Sequence, residues 1–148
     1  MGRIYTAVAS STQAVAGDII QLQCPATSMA KLREVSVTQP GTEVDDSTEI
    51  RISRFATVGS GGDVITPKPA NPGDAPSGII VRAFDTSDAS GAEDELWREG
   101  ISILAGFHKI YQPDSRPAIA PLARIVVKFI GDITSVTLIV SIEFEEID

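Results

Sequence analysis

Hydrophobic and polar residues alternate along much of the chain, a pattern that predicts β-strands with one buried face. The segment ARIVVKFIG places Ile125, Val127 and Phe129 on a predicted inner face. Only a short polar turn around Gly131 and Asp132 separates it from the last segment, so we expect a hairpin. That last segment, SVTLIVSIEFEE, puts five apolar residues on one face: Val136, Leu138, Val140, Ile142 and Phe144.

The same pattern predicts about eight strands, with proline and glycine marking the gaps between them. They cover residues 3–9, 18–24, 31–39, 48–56, 78–85, 95–111, 124–130 and 135–145. This series predicts an all-β fold, an antiparallel β-sandwich of the jelly-roll type. A chain of 148 residues is long enough for one core, so residues 1–148 form a single domain.

One segment, ASGAEDELWREG, is also compatible with a helix. Ser90 can cap it, and acidic residues fall in the first turn, where the helix dipole favours them. We favour an acidic loop that leads into a strand, because a strand there completes the regular series.

The stretch GSGGDVITPKPANPGDAPSG, residues 59–78, predicts a long loop between two strands. It lacks the Gly-Lys-Ser/Thr ending of a phosphate-binding loop, and Lys68 lies between Pro67 and Pro69. Prolines also prevent the helix that a dinucleotide site needs. They favour extended geometry, so we expect an arm that reaches a neighbouring subunit, with a mobile loop as the alternative.

Charge and cysteine content exclude several classes of function. The net charge is −8 and the basic residues are scattered, which argues against nucleic-acid binding. No apolar run has the length of a membrane span. Cys24 is the only cysteine and ends an apolar run, so we predict a buried, unreactive thiol.

No combination of residues predicts catalysis or metal binding. His108 is the only histidine, so a closed zinc site and a cupin-type metal site lack ligands. Nothing in the spacing around His108 places a nucleophile and an orienting group for a catalytic triad. We therefore predict no enzyme activity, no cofactor and no metal. Two acidic clusters lack the spacing of a calcium loop and are interpreted as solvated: Glu43, Asp45 and Asp46, and Glu93, Asp94 and Glu95.

Four segments in order carry a resemblance to a known family. MGRIY leads into the first strand, TEIRISRF precedes the proline-rich loop, and YQPDSRPAIAPLARIVVKF precedes a final strand that ends in EFEE. This layout resembles the small β-sandwich decoration, or cement, proteins of tailed bacteriophages. The resemblance implies a non-enzymatic virion protein, a homotrimer that binds the major capsid protein on the outer capsid surface, without nucleic acid or membrane.

The candidate interface residues are aromatic side chains and the apolar residues of the long loop. They are Tyr5, Val64, Ile65, Pro67, Pro69, Pro72, Trp97 and Tyr111. For each aromatic residue, ordinary core packing is the alternative. A receptor-binding or carbohydrate-binding module of a phage tail or fibre is the second functional hypothesis, although the chain is only 5% aromatic.

Overall fold

A computed structural model describes residues 2–41 and 45–147. Within these ranges the chain forms twelve β-strands and one short 3₁₀ helix, Pro113–Ser115. The strands are β1 (Arg3–Gln13), β2 (Gly17–Gln23), β3 (Met29–Thr38), β4 (Ser47–Thr57), β5 (Asp63–Ile65), β6 (Lys68–Pro69), β7 (Ile80–Ala83), β8 (Ser90–Ser102), β9 (Phe107–Ile110), β10 (Ala118–Ile119), β11 (Arg124–Phe129) and β12 (Val136–Ile147). The all-β prediction is confirmed.

The strands form two antiparallel sheets of six strands each. The first sheet has the order β10-β3-β12-β1-β6, with β9 also paired to β3, and the second has the order β5-β7-β2-β11-β4-β8. Eight of the strands pair in a nested way, β1 with β12, β2 with β11, β3 with β9 and β4 with β8. The chain therefore doubles back on itself around the segment between β4 and β8.

The inner faces of the two sheets share one hydrophobic core, consistent with a β-sandwich. On β12 the predicted inner residues are buried and alternate with half-buried ones, and Phe144 is fully buried. From the opposite sheet, Ile125, Val127 and Phe129 are fully buried as predicted. Removing one such side chain from water contributes about 1.5–3 kcal/mol, so these two strands supply much of the driving force for folding.

The predicted hairpin between the last two long strands is wrong. β11 lies in the second sheet between β2 and β4, whereas β12 lies in the first sheet between β1 and β3. Hydrogen bonds hold the crossing segment in place: Gly131 N–H donates to Thr48 Oγ1, and Ile133 N–H donates to the Ala14 carbonyl. β11 and β12 are each central in a different sheet. A hairpin would place both strands in one sheet, and their apolar faces would then no longer face each other across the core.

The single strand predicted over residues 95–111 is two strands in different sheets. A turn ends β8, where Gly106 adopts φ +75° and its N–H donates to the Ser102 carbonyl. β8 then pairs with β4, and β9 pairs with β3. The segment with the helical alternative is strand from Ser90 onward. The structure has more strands than predicted because this segment divides and because β5, β6 and β10 are very short.

The proline-rich stretch of residues 59–78 lies along its own domain. Its first short strand, β5, pairs with β7, and its second, β6, pairs with Tyr5 and Thr6 of β1. The Tyr5 hydroxyl donates to the Ala75 carbonyl at 2.7 Å, and Ala70 N–H donates to the Ile4 carbonyl at 2.8 Å. The stretch therefore connects edge strands of both sheets, and proline at the edge position of Pro69 removes no interior ladder bond.

Tyr5 is expected to couple this stretch to the core, because its ring stacks on Phe144 and its hydroxyl binds Ala75. Tyr5→Phe should lower the free energy of unfolding by about 1 kcal/mol, and Tyr5→Ala by about 3–5 kcal/mol. Urea denaturation measures both, and hydrogen exchange should show lost protection at Ala70. Tyr111→Phe is the control, since the buried Tyr111 hydroxyl has no partner among the described residues. An equal cost for the two Phe variants would contradict the prediction.

Candidate functional site

Most exposed sheet edges are short or charged. β8 forms one edge of the second sheet with thirteen residues, four of them acidic, and β5 forms the other edge with only three. In the first sheet, β9 and β10 cover the outer side of β3. Short strands and like charges on an edge prevent other strands from adding to it.

β1 is different, because most of its outer edge has neither a partner strand nor a charge. β6 covers only Tyr5 and Thr6, and residues 7–13 are AVASSTQ. The Ile4 carbonyl accepts from Ala70 on the outer side, and the pairing with β12 runs without a shift. Backbone groups alternate sides along a strand, so Val8, Ser10 and Thr12 direct their N–H and C=O groups outward.

Two cavities are lined in part by residues of β1. The first, of about 530 Å³, is mainly apolar and is lined by Val8, Val64, Ile65 and their neighbours Thr6, Thr66 and Lys68. Val8 and Val64 are 55% and 64% exposed. The second, of about 480 Å³, lies beyond Thr12 and includes Asp85 and Asp88. We call the free edge and the first cavity the β1 groove.

The candidate interface residues from the sequence separate into two groups on opposite sides of the sandwich. In the first, Val64 is exposed, Ile65 and Pro69 are half-buried, Pro67 and Tyr5 are buried and Pro72 is exposed on the loop. Val64 and Ile65 line the β1 groove. Tyr5 is a core residue whose ring stacks on Phe144, so in this chain it offers no exposed surface to a partner.

The second group, Trp97 and Tyr111, lies at the opposite edges, on β8 and beside β9. The Lys109 ammonium is 3.5 Å from the centre of the Trp97 ring and 5.2 Å from that of Tyr111. Tyr111 is buried and Trp97 is half-buried against the core. This cation–π cluster therefore bridges the two sheets and covers one face of the indole ring.

The two residues weighed above as catalytic or metal-binding candidates, His108 and Cys24, lie in surroundings typical of structural residues. His108 is exposed on β9, with Nε2 2.6 Å from Glu34 Oε1. The prediction for Cys24 is confirmed with respect to burial, which also raises the pKa of its thiol to about 11. Among the described residues, no group of three or more His, Cys, Asp or Glu side chains is arranged to hold a metal ion.

The two acidic clusters of the sequence have different surroundings. Glu43 lies outside the described residues. Asp46 accepts hydrogen bonds from Thr134 N–H and Ser47 N–H, and these bonds lower the pKa of its carboxyl. In the β8 cluster, Glu95 accepts two bonds from Arg98, which lower the pKa of Glu95.

A third acidic cluster was not predicted, because its members are far apart in sequence. Asp18 is the second residue of β2, whereas Asp85 and Asp88 follow β7. Asp88 Oδ1 accepts from Asp18 N–H at 2.9 Å, and Asp18 Oδ2 accepts from Ala89 N–H at 2.6 Å. Burial raises the pKa of Asp18 to about 6, and the charges of Asp88 and Asp85 add to the effect. Burial also raises the pKa of Asp85.

The raised pKa values of Asp18 and Asp85 predict that the contribution of these two residues to stability decreases as pH rises. Asp18 binds its proton more tightly in the folded state, with a pKa of about 6 against an ordinary 3.8. Its stabilising contribution is therefore complete below about pH 4 and is lost as pH rises through about 6. Asp85 and Asp88 act in the same direction on Asp18, and the Lys128 ammonium opposes them.

Urea unfolding across this pH range, in buffer with a chelator, measures the effect. Asp18→Asn should remove the decrease and be more stable than the natural chain at neutral pH. Asp114→Asn, an exposed position with the same charge change, is the control. Parallel pH profiles for all three proteins would show that Asp18 is not the titrating group.

Among the described residues there is no helix of the length and apolarity needed to cross a membrane. Comparison of the chain with protein-family models, with curated proteins and with solved structures found no match.

Proposed function

We propose that this protein is a non-enzymatic structural protein of a bacteriophage virion that binds the outer surface of the capsid and stabilises it through contacts between subunits. The observation that carries the proposal is the β1 groove, where an uncharged strand edge with outward backbone groups lies beside an apolar cavity. In this proposal the protein is a homotrimer and its partner is the major capsid protein.

Strand addition is the interaction that such an edge favours. An incoming extended segment can pair with the outward N–H and C=O groups of Val8, Ser10 and Thr12 and gain main-chain hydrogen bonds. Alternate side chains of the segment would pack on the exposed apolar groups of Val8 and Val64. Main-chain bonds supply affinity and the cavity supplies specificity, which suits repeated contacts between coat subunits.

The charge distribution supports the same surface. A chain with net charge −8 repels acidic partners over most of its surface. Residues 7–13 carry no charge, and Lys68 contributes a positive charge beside the cavity. Approach along β1 therefore avoids the repulsion that the acidic edge of β8 would produce.

The strand order supports a jelly-roll topology. The eight principal strands follow the orders β1-β12-β3-β9 and β2-β11-β4-β8, and successive strands from β1 to β4 alternate between the sheets. A double sheet of eight strands built from two Greek keys has this nested form, and it is common among viral capsid domains. For a glycan-binding module, no described feature provides equal support, because Lys109 covers a face of Trp97.

Co-sedimentation with empty capsids of the phage that encodes the protein tests capsid binding. The natural chain should sediment with the capsids at micromolar concentration. Val8→Lys should bind at least about tenfold more weakly, which corresponds to about 1.4 kcal/mol, because a lysine on the free edge opposes strand addition. Leu104→Lys introduces the same side chain at an exposed site away from β1 and should bind normally.

Two outcomes would contradict different parts of this proposal. If the natural chain stays in the supernatant, capsid binding is wrong. If both lysine variants bind like the natural chain, the capsid is bound by another surface and β1 is not the contact.

Light scattering after size exclusion tests the oligomeric state. We expect a trimer, because the resemblance to the decoration proteins implies one. A monomer at every concentration tested would contradict the homotrimer while leaving capsid binding to the sedimentation result.

A further inference from the structure

Three oxygen atoms converge beside Gly59, at the end of the sandwich that contains the third acidic cluster. A Cβ on Gly59 would lie 2.6 Å from Asp85 Oδ2, 2.8 Å from Asp18 Oδ2 and 2.9 Å from the Ser87 carbonyl oxygen. Gly59 itself is buried, and its N–H donates to Gln21 Oε1. Any larger residue would therefore collide with this set of oxygens.

Two of the carboxylate oxygens in this cluster are buried without a donor. Asp18 is only 2% exposed, and its Oδ1 has no hydrogen-bond partner among the described residues, whereas its Oδ2, the atom beside Gly59, accepts from Ala89 N–H. Asp85 Oδ1 accepts from Gly62 N–H at 3.2 Å, but its Oδ2 is buried and has no such partner. A buried carboxylate oxygen without a donor or a cation costs free energy, so the arrangement favours a positively charged ligand.

The charges around the cluster do not cancel. Lys128 acts on Asp18, and Arg82 acts on Asp85. Three carboxylates, Asp18, Asp85 and Asp88, against these two cations leave one negative charge. Asp85 and Asp88 also line the second cavity, of about 480 Å³, which opens a route from solvent.

We propose that Asp18, Asp85 and the Ser87 carbonyl form a calcium site. Calcium takes carboxylate and backbone carbonyl oxygens in irregular geometry and completes its coordination with water. Only two carboxylates meet beside Gly59, in agreement with the absence of a three-residue metal group among the described residues. With so few protein ligands we expect weak binding, with Kd on the order of 10⁻⁴–10⁻³ M.

The proposed ligands come from two segments that are distant in sequence, and Gly59 of a third segment lies against them. Asp18 follows the turn between β1 and β2, Asp85 and Ser87 follow β7, and Gly59 begins the stretch that carries β5 and β6. Because Gly59 packs against these ligand oxygens, calcium would stabilise the position at which the segment that forms one wall of the β1 groove begins. This inference is independent of capsid binding, since it concerns the isolated chain.

Calcium titration of the chelator-treated chain tests the site. Up to about 10 mM CaCl₂ should raise the midpoint of thermal unfolding and shift the backbone amide NMR signals of Gly59, Gly62 and Ala89. Magnesium chloride at equal ionic strength should have a much smaller effect, because magnesium demands regular octahedral geometry. Asp85→Asn should bind calcium at least tenfold more weakly, whereas Asp114→Asn should bind like the natural chain.

The amide signals of the natural chain make the test independent of how well any variant folds. If they do not move with calcium while stability still increases as pH falls, the cluster holds a proton and the calcium site is wrong. If Asp85→Asn and Asp114→Asn bind calcium equally, the ion is held elsewhere on the acidic surface, and the assignment to this site is also wrong.

Discussion

The core between the two sheets, to which β11 and β12 both contribute their inner faces, is the contact on which the rest of the fold depends. Each of these strands is central in its own sheet, and their inner residues are almost completely buried in that shared core. Because these strands are consecutive, the chain must cross between sheets at Gly131 rather than turn within one. β11 then pairs with β2, and β12 pairs with β1. The nested pairing brings together segments that are more than a hundred residues apart.

Nested pairing also determines where the sandwich is open. Every sheet that does not close has edges, and an uncovered edge attracts other strands. In the described parts of the chain, short strands cover the outer side of β3. Acidic residues on β8 disfavour the addition of another strand to that edge. The proline-rich stretch covers only the start of β1. The part left free is uncharged and lies beside an apolar cavity, which is why we connect it with assembly.

The acidic cluster shows a different balance of forces. Backbone amides at Ala89 and Gly62 stabilise the carboxylates of Asp18 and Asp85, but burial and mutual repulsion oppose ionisation. Such a cluster is stable only if protons, nearby cations or a bound ion compensate the charge. The cluster lies beside Gly59, where the stretch that borders the β1 groove begins. Protonation or ion binding at the cluster would therefore act on the position of this stretch.

The sequence by itself determined the local features: the all-β class, the buried faces of β11 and β12, and the burial of Cys24. Alternation encodes them because successive side chains on a strand point to opposite faces. Only the tertiary structure decided which strands pair. Main-chain N–H and C=O groups are chemically alike along the chain, so the sequence of a strand does not specify which other strand it pairs with. The tertiary structure thereby placed β8 and β9 in different sheets, left most of the β1 edge without a partner strand and brought Asp18 beside Asp85. No local sequence pattern predicts these three features.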